Sequence, residues 1–152
     1  MTHLAAPGFL RCSRLIVGLV CGLALHMGWS SIADADTASI TGSWLVEDIQ
    51  GGGVTDLAQI TITFDRENHA FGSSGCNRFR GPFKHDGETI GIGPLAATKK
   101  MCAPVLMARE KKFFSAIDSV RRFQLAGDSL TLYAGGGTEL LKLARIKGNQ
   151  PK

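Results

Sequence analysis

Residues Ile60 to Phe64, "ITITF", alternate apolar and hydroxyl side chains, and the same two-residue period returns in "DSLTLY" at Asp128 to Tyr133. Successive side chains of an extended strand point to opposite faces, so Ile60, Ile62 and Phe64 face one way while Thr61 and Thr63 face the other. The Gly127-Asp128 pair turns "RRFQLA" back onto "DSLTLY", which gives a hairpin. Further strands are expected at Ser43 to Ile49, His69 to Ser73, Arg80 to Lys84, Thr89 to Ile92 and Glu139 to Ala144. Gly51-Gly52-Gly53, Asp86-Gly87 and Gly135-Gly136-Gly137 divide them. A single segment has the helical period. From Pro104, suited to a first turn, Leu106, Phe113, Ile117 and Val120 share one stripe, with Arg109, Lys112 and Ser119 largely elsewhere. The fold class that follows is α+β and mainly antiparallel β: an open or cracked β-barrel-like sheet with one helix packed against it. The aromatic residues Trp44, Phe64, Phe71, Phe79, Phe83, Phe113 and Phe123 are expected in its core.

The first residues follow different rules. Arg11 and Arg14 precede the apolar run Leu15 to Met27, "LIVGLVCGLALHM", and the chain then turns small and polar through "GWSSIADADTAS". These are the three regions of a secretory signal, with Ala33 and Ala35 forming an A-x-A cleavage site. The run is short of the ~20 apolar residues of a comfortable membrane span. The expected organisation is a signal peptide over 1–35, a short linker over 36–40, one domain over 41–145 and a flexible tail over 146–152, with a periplasmic or secreted destination. A lipoprotein anchored at Cys21 is the rival, although bulky Val20 stands where such sites favour a small residue. Membrane association is expected only in that case.

The whole chain carries 17 Lys and Arg against 13 Asp and Glu, a formal charge of +4. Its basic pairs, Lys99-Lys100, Lys111-Lys112 and Arg121-Arg122, are scattered, so they read as solvated faces; a nucleic-acid partner is not expected, and anionic lipid headgroups are the alternative.

An ordered set of motifs then resembles a known family. Gly42-Ser43-Trp44 opens a strand, Gly75-Cys76-Asn77 is followed by Gly81 and Phe83, and "GPLAATKKMC" spans Gly93 to Cys102. Glu110 and Phe113 come next, and "GDSLTL" closes the set at Gly127 to Leu132. This series, from about Thr41 to Arg145, resembles the META domain, also called the heat-inducible HslJ-like domain. The signature positions are Gly75, Cys76, Asn77, Gly81, Thr98, Cys102 and Glu110. The resemblance implies a bacterial envelope or secreted domain of antiparallel strands plus a helix, associated with heat stress and novobiocin tolerance, with no established catalytic activity or cofactor. Lys99-Lys100 departs from the family's frequent "ATRM", which conserves charge but not a bidentate arginine fork.

Once a signal is removed, Cys76 and Cys102 are the cysteines that remain, an even number in an oxidising compartment, and a disulfide is the expected state. Two packed thiols are one alternative. A thiolate nucleophile would need a histidine, and His69 and His85 are candidates only by nearness in sequence. A zinc site from Cys76, Cys102, His69 and His85 has no recognisable ligand spacing. Gly75 and Asn77 tolerate positive φ and read as turn-makers, with substrate contact by Asn77 as the second reading; Thr98 pairs with backbone on the same logic. Gly72 to Gly75 lacks the Lys-Ser/Thr of a phosphate loop, and Asp86, Glu88 and Glu110 are too dispersed for an acid and base pair. No catalytic residue, metal or cofactor is therefore expected. The expected function is a monomeric, non-enzymatic envelope protein that binds a protein partner or an apolar ligand where the helix meets the sheet. An enzyme using Cys76 or a polar site near Asn77 is the alternative.

The exported chain should begin at or near Asp36, the residue after the Ala33-x-Ala35 site. Intact-mass measurement of the mature protein checks this, and a fatty-acylated Cys21 as first residue would replace the secreted form with a lipoprotein.

Overall fold

A computed structural model describes residues 39–54 and 59–148. The signal, most of the linker and the last four residues of the tail lie outside the described residues. Nine strands and one helix follow in the order β1 (Gly42–Ile49), β2 (Ile60–Phe64), β3 (His69–Ser74), β4 (Arg78–Asp86), β5 (Thr89–Ile92), β6 (Ala96–Ala97), α1 (Pro104–Ser119), β7 (Val120–Ala126), β8 (Ser129–Ala134) and β9 (Glu139–Arg145). Every neighbour in sequence from β1 to β5 pairs antiparallel, as do β7, β8 and β9. Two long-range pairings, β9 with β1 and β5 with β7, close eight strands into a barrel. β6 lies outside the ring on the flank of β4. The expected barrel-like sheet with one helix is thus the observed fold, and the ring is closed. Its narrowest seam is β5 against β7, held by the single register pair Thr89↔Arg122, a hydrogen bond from Phe123 N–H to the Glu88 carbonyl (2.8 Å) and the exposed Arg122–Glu88 ion pair (2.8 Å).

The alternation read in β2 decides its orientation. Ile60, Ile62 and Phe64 are fully buried and Thr61 and Thr63 are half-buried on the outside. Trp44 stands opposite Ile62, donates its indole N–H to the Ile40 carbonyl (2.8 Å) and lies under the Arg145 guanidinium, 4.2 Å from the ring centre. The interior is filled by Trp44, Ile62, Phe64, Leu130, Leu132 and their neighbours, as in small barrels whose side chains meet on the axis. Strict alternation fails in β1, where Val46 and Ile49 both point inward. The register shift between Val46 and Asp48 makes Glu47 an extra residue, and a bulge of this kind restores the inward face one step later.

The helix lies across the end of the barrel where β3 finishes and β4 starts. Phe113, Ala116 and Ile117 are its buried residues, and the Phe79 ring stands 5.4 Å from Phe113 and 5.8 Å from Phe114. Val120, assigned to the helical stripe by its period, is instead the first residue of β7: it is buried, but its ψ of 130° has already left the helix. Phe71 is also corrected, because it sits opposite Thr63 on the outward phase of β3 and is only half-buried; Phe123, opposite buried Leu132, is half-buried and packs against the core as expected. The two-residue β6 carries no period at all. Beyond β9, Ile146 N–H bonds the Ser43 carbonyl and Lys147 pairs with Asp128 at 2.8 Å.

Ile62→Ala should lower stability by roughly 2–5 kcal/mol, the range for truncating a buried aliphatic side chain. Thr63→Ala, which removes one half-buried bond to Ser43 (2.9 Å), should cost about 1 kcal/mol or less. Urea midpoints of the two variants make the comparison, and equal losses would mean the faces of β2 are misassigned.

Candidate functional site

The signature residues converge where the β3–β4 turn meets the helix. Ser74 ends β3 and Arg78 starts β4, so Gly75, Cys76 and Asn77 must reverse the chain in very few residues. Gly75 takes φ +90°, a conformation that a side chain rarely adopts. Asn77 does not take positive φ, yet it closes the turn, its carbonyl accepting from the Ser74 N–H at 2.8 Å. Its side chain points inward and is 4 % exposed.

That buried amide is fully used. Asn77 Nδ2 donates to Glu110 Oε1 (2.9 Å) and lies 3.1 Å from Oε2, and the Asn77 N–H lies 3.1 Å from the same Oε2. Asn77 Oδ1 accepts from the Thr98 hydroxyl (2.7 Å) and from the Lys100 N–H (2.8 Å). Thr98 also exchanges bonds with the Arg78 backbone, accepting at Oγ1 from the Arg78 N–H (3.2 Å) and donating its own N–H to the Arg78 carbonyl (3.0 Å). The Ser74 hydroxyl, with one proton to give, sits between Glu110 Oε2 and the Asn77 carbonyl, 2.9 Å from the latter. One side chain thereby ties three separated segments: the turn, the helix and the strand end at 98–100.

Cys76 and Cys102 are joined beside this cluster, with S–S 2.07 Å and Cα atoms 6.0 Å apart. The bond closes a loop of sequence separation 26 and fixes the residue two before the helix against the turn. Gly81 serves the same packing. A Cβ there would lie 2.3 Å from the Pro94 carbonyl, so only glycine lets the Gly93–Pro94 segment run against β4. His69 and His85 stand at the other end of the barrel: His69 opens β3, which runs to Ser74, and His85 is seven residues beyond the start of β4 at Arg78, so each is roughly 15–25 Å along its strand from the turn at ~3.3 Å per residue. Neither can reach a Cys76 sulfur, and among the described residues no group of three or more His, Cys, Asp or Glu could hold a metal ion. Asp86 and Glu88 are likewise remote from Glu110, at the β4–β5 turn.

The sequence reading missed Ser74, a 1 % exposed hydroxyl, and the part played by the Lys100 backbone. Ser74 adjoins the Gly75 signature, but a serine that ends a strand is indistinguishable by type from one that faces water.

Shallow hollows mark the outer surface of the described residues, and three of them adjoin β4 or the helix. One of about 440 Å³ lies over β2, β3 and β4, lined by Thr61, Thr63, Phe71, Gly72, Arg78 and Arg80, with the Arg80 guanidinium 6.0 Å from the Phe71 ring centre. A second, about 470 Å³, adjoins the β5–β7 seam at Phe83, Ile92, Pro94 and Arg121. The third, where the helix meets the end of β1 at Ile49, Gly52, Val105 and Lys112, is about 260 Å³.

These features define a small closed antiparallel barrel, end-capped by one helix and pinned at the cap by a disulfide and a buried asparagine. The family model of the META domain matches residues 37–146, and the chain belongs to the META-domain family. A protein from Burkholderia xenovorans, solved by NMR, is similar at 23% identity and TM-score 0.57, over 70% of this chain and 83% of that one. A second NMR structure is 26% identical, TM-score 0.56, over 68% and 88%. The crystal structure of a DUF4847 family protein from Bacteroides vulgatus is 17% identical, TM-score 0.53, over 72% and 95%. These likenesses concern the fold. No curated protein matches the chain.

Because Asn77 and Glu110 are each other's partners, their losses should not add. Asn77→Ala and Glu110→Ala should each cost roughly 2–4 kcal/mol, since each leaves buried polar atoms unpaired. The double variant should cost at least about 1 kcal/mol less than the sum. Denaturant midpoints for the four proteins of the cycle give the coupling, and strict additivity would show that the bond contributes nothing.

Proposed function

We propose that this chain is an exported, non-enzymatic META domain of the bacterial envelope that acts by binding a partner protein on its outer surface, in the service of stress or novobiocin tolerance. The observation that carries the reading is the internal use of the thiol, carboxylate and amide groups of the signature. Both thiols are consumed in one bond, the Glu110 carboxylate is held by Ser74 and Asn77, and the Asn77 amide has no free valence. A nucleophile or general base must face a substrate, and these groups face each other.

The same packing favours a protein over an apolar ligand. The barrel axis is filled, and the hollow where the helix meets β1 is smaller than the ~300–1,000 Å³ usual for ligand pockets. The β2–β4 hollow instead combines a half-buried aromatic ring with exposed Arg78 and Arg80, the residue types that anchor protein interfaces.

Complementation of a strain lacking the gene tests both parts, with novobiocin tolerance as the readout. The double reversal Arg78→Glu, Arg80→Glu should abolish tolerance and leave Tm nearly unchanged. The double replacement of Cys76 and Cys102 by alanine should remove a staple worth roughly 3–4 kcal/mol and lower Tm by about 10 °C or more. Tolerance should nevertheless survive below the new melting point. Loss of tolerance in the cysteine variant without loss of stability would restore the enzyme reading.

A further inference from the structure

Four large apolar side chains are conspicuously exposed among the described residues, and three of them fall within seven positions: Met101 at 91 %, Val105 at 64 % and Met107 at 42 %. Ala103, Pro104 and Ala108 are exposed beside them. The segment is not a loose loop. Lys100 N–H is bonded to Asn77 Oδ1, Cys102 is bonded to Cys76, and Pro104 begins the helix. Met101 is therefore held out in water between two tethers of the signature cluster, one on each side of it. A side chain that could have packed inward is instead clamped outward, and scattered single exposures do not do this.

Along the chain the charges next to this tip are nearly one-signed. From Lys99 to Lys112 the chain carries Lys99, Lys100, Arg109, Lys111 and Lys112 against one acid, Glu110, whose carboxylate is turned inward onto Asn77 and Ser74. Lys99, Lys100, Lys111 and Lys112 are exposed. On the helix, the inward side is set by Phe113, Ala116 and Ile117, so the 100° step puts Pro104, Met107, Ala108 and Lys111 outward, while the exposed Val105 and Lys112 lie on the flank toward the end of β1. The next outward acid, Asp118, is most of the helix length away, about 20 Å from Pro104 at ~1.5 Å per residue. An apolar tip with a lysine ring one turn above it matches the depth profile of an anionic bilayer, where apolar groups enter the acyl boundary and lysine stems reach back to phosphate.

We propose that the Met101–Met107 tip docks on an anionic phospholipid surface, with Met101, Val105 and Met107 inserted and Lys99, Lys100, Lys111 and Lys112 on the headgroups. The signature lock then has a task beyond stability, because Asn77 and the disulfide hold the tip in its outward position. This site is separate from the β2–β4 hollow and requires no lipid on Cys21.

Flotation of the purified protein as exported, its N-terminus fixed by mass, with vesicles of phosphatidylglycerol and phosphatidylcholine tests the proposal. Binding should rise with the anionic fraction, fall as salt is raised and be near background on pure phosphatidylcholine. Met101→Ser with Val105→Ser should lower the partition coefficient by about tenfold or more, and Lys111→Glu with Lys112→Glu should do the same through the headgroups. All four residues are exposed, so the melting temperature should hold in both variants. Equal flotation by wild type and variants, equal binding to neutral vesicles, or no binding to either would overturn the proposal. Concentration-dependent dimerisation abolished by Met101→Ser with Val105→Ser, seen by sedimentation velocity, would assign the tip to a second copy of the chain and overturn it too. Failure here with novobiocin tolerance still lost in the Arg78, Arg80 variant would leave the protein-binding reading standing.

Discussion

The fold depends on one buried amide. Asn77 is the residue through which the β3–β4 turn, the helix and the 98–100 segment are registered to one another, by donors toward Glu110 and acceptor sites toward Thr98 and Lys100. Isolated, each partner would be costly: a carboxylate and an amide taken from water need bonds in return, and each supplies the other's. The arrangement is specific because an amide offers donors and an acceptor at a fixed separation. An aspartate in the same place would set a second carboxylate against Glu110 and lose the donors.

The disulfide and the amide act on different ensembles. The Cys76–Cys102 bond restricts the unfolded chain and so stabilises without choosing the direction of the helix. The Asn77–Glu110 contact exists only in the folded state and does choose it, by drawing the middle of the helix onto the end of β3. With Phe79 packed on Phe113 and Phe114, the helix closes that barrel end. Closure of the ring elsewhere is uneven, continuous from β4 through β3 to β7 and slender between β5 and β7.

A division of labour follows from this geometry. Groups with chemical potential are turned inward at the signature, while the outer surface keeps arginine, aromatic and methionine side chains available. In this META-domain chain the signature residues form a structural lock that holds the neighbouring turn, helix and 98–100 segment in place.

The sequence by itself determined the strands, because alternation is a local property of an extended chain: Ile60, Ile62 and Phe64 share a face whatever lies opposite. It also determined the start of the helix at Pro104 and brought forward the residues of the signature. It could not show that Val120 leaves the helix, that Glu47 is a bulge or that Ala96–Ala97 pairs with β4, since each depends on a neighbouring strand's register. Nor could it tell that the asparagine of this turn turns its amide inward. Asn77 and Glu110 are 33 residues apart, and the direction of an amide is fixed by the acceptor that happens to face it. Only the tertiary structure decided that meeting, and with it the outward clamp on Met101, because burial and exposure belong to the assembled surface and not to any residue's own pattern.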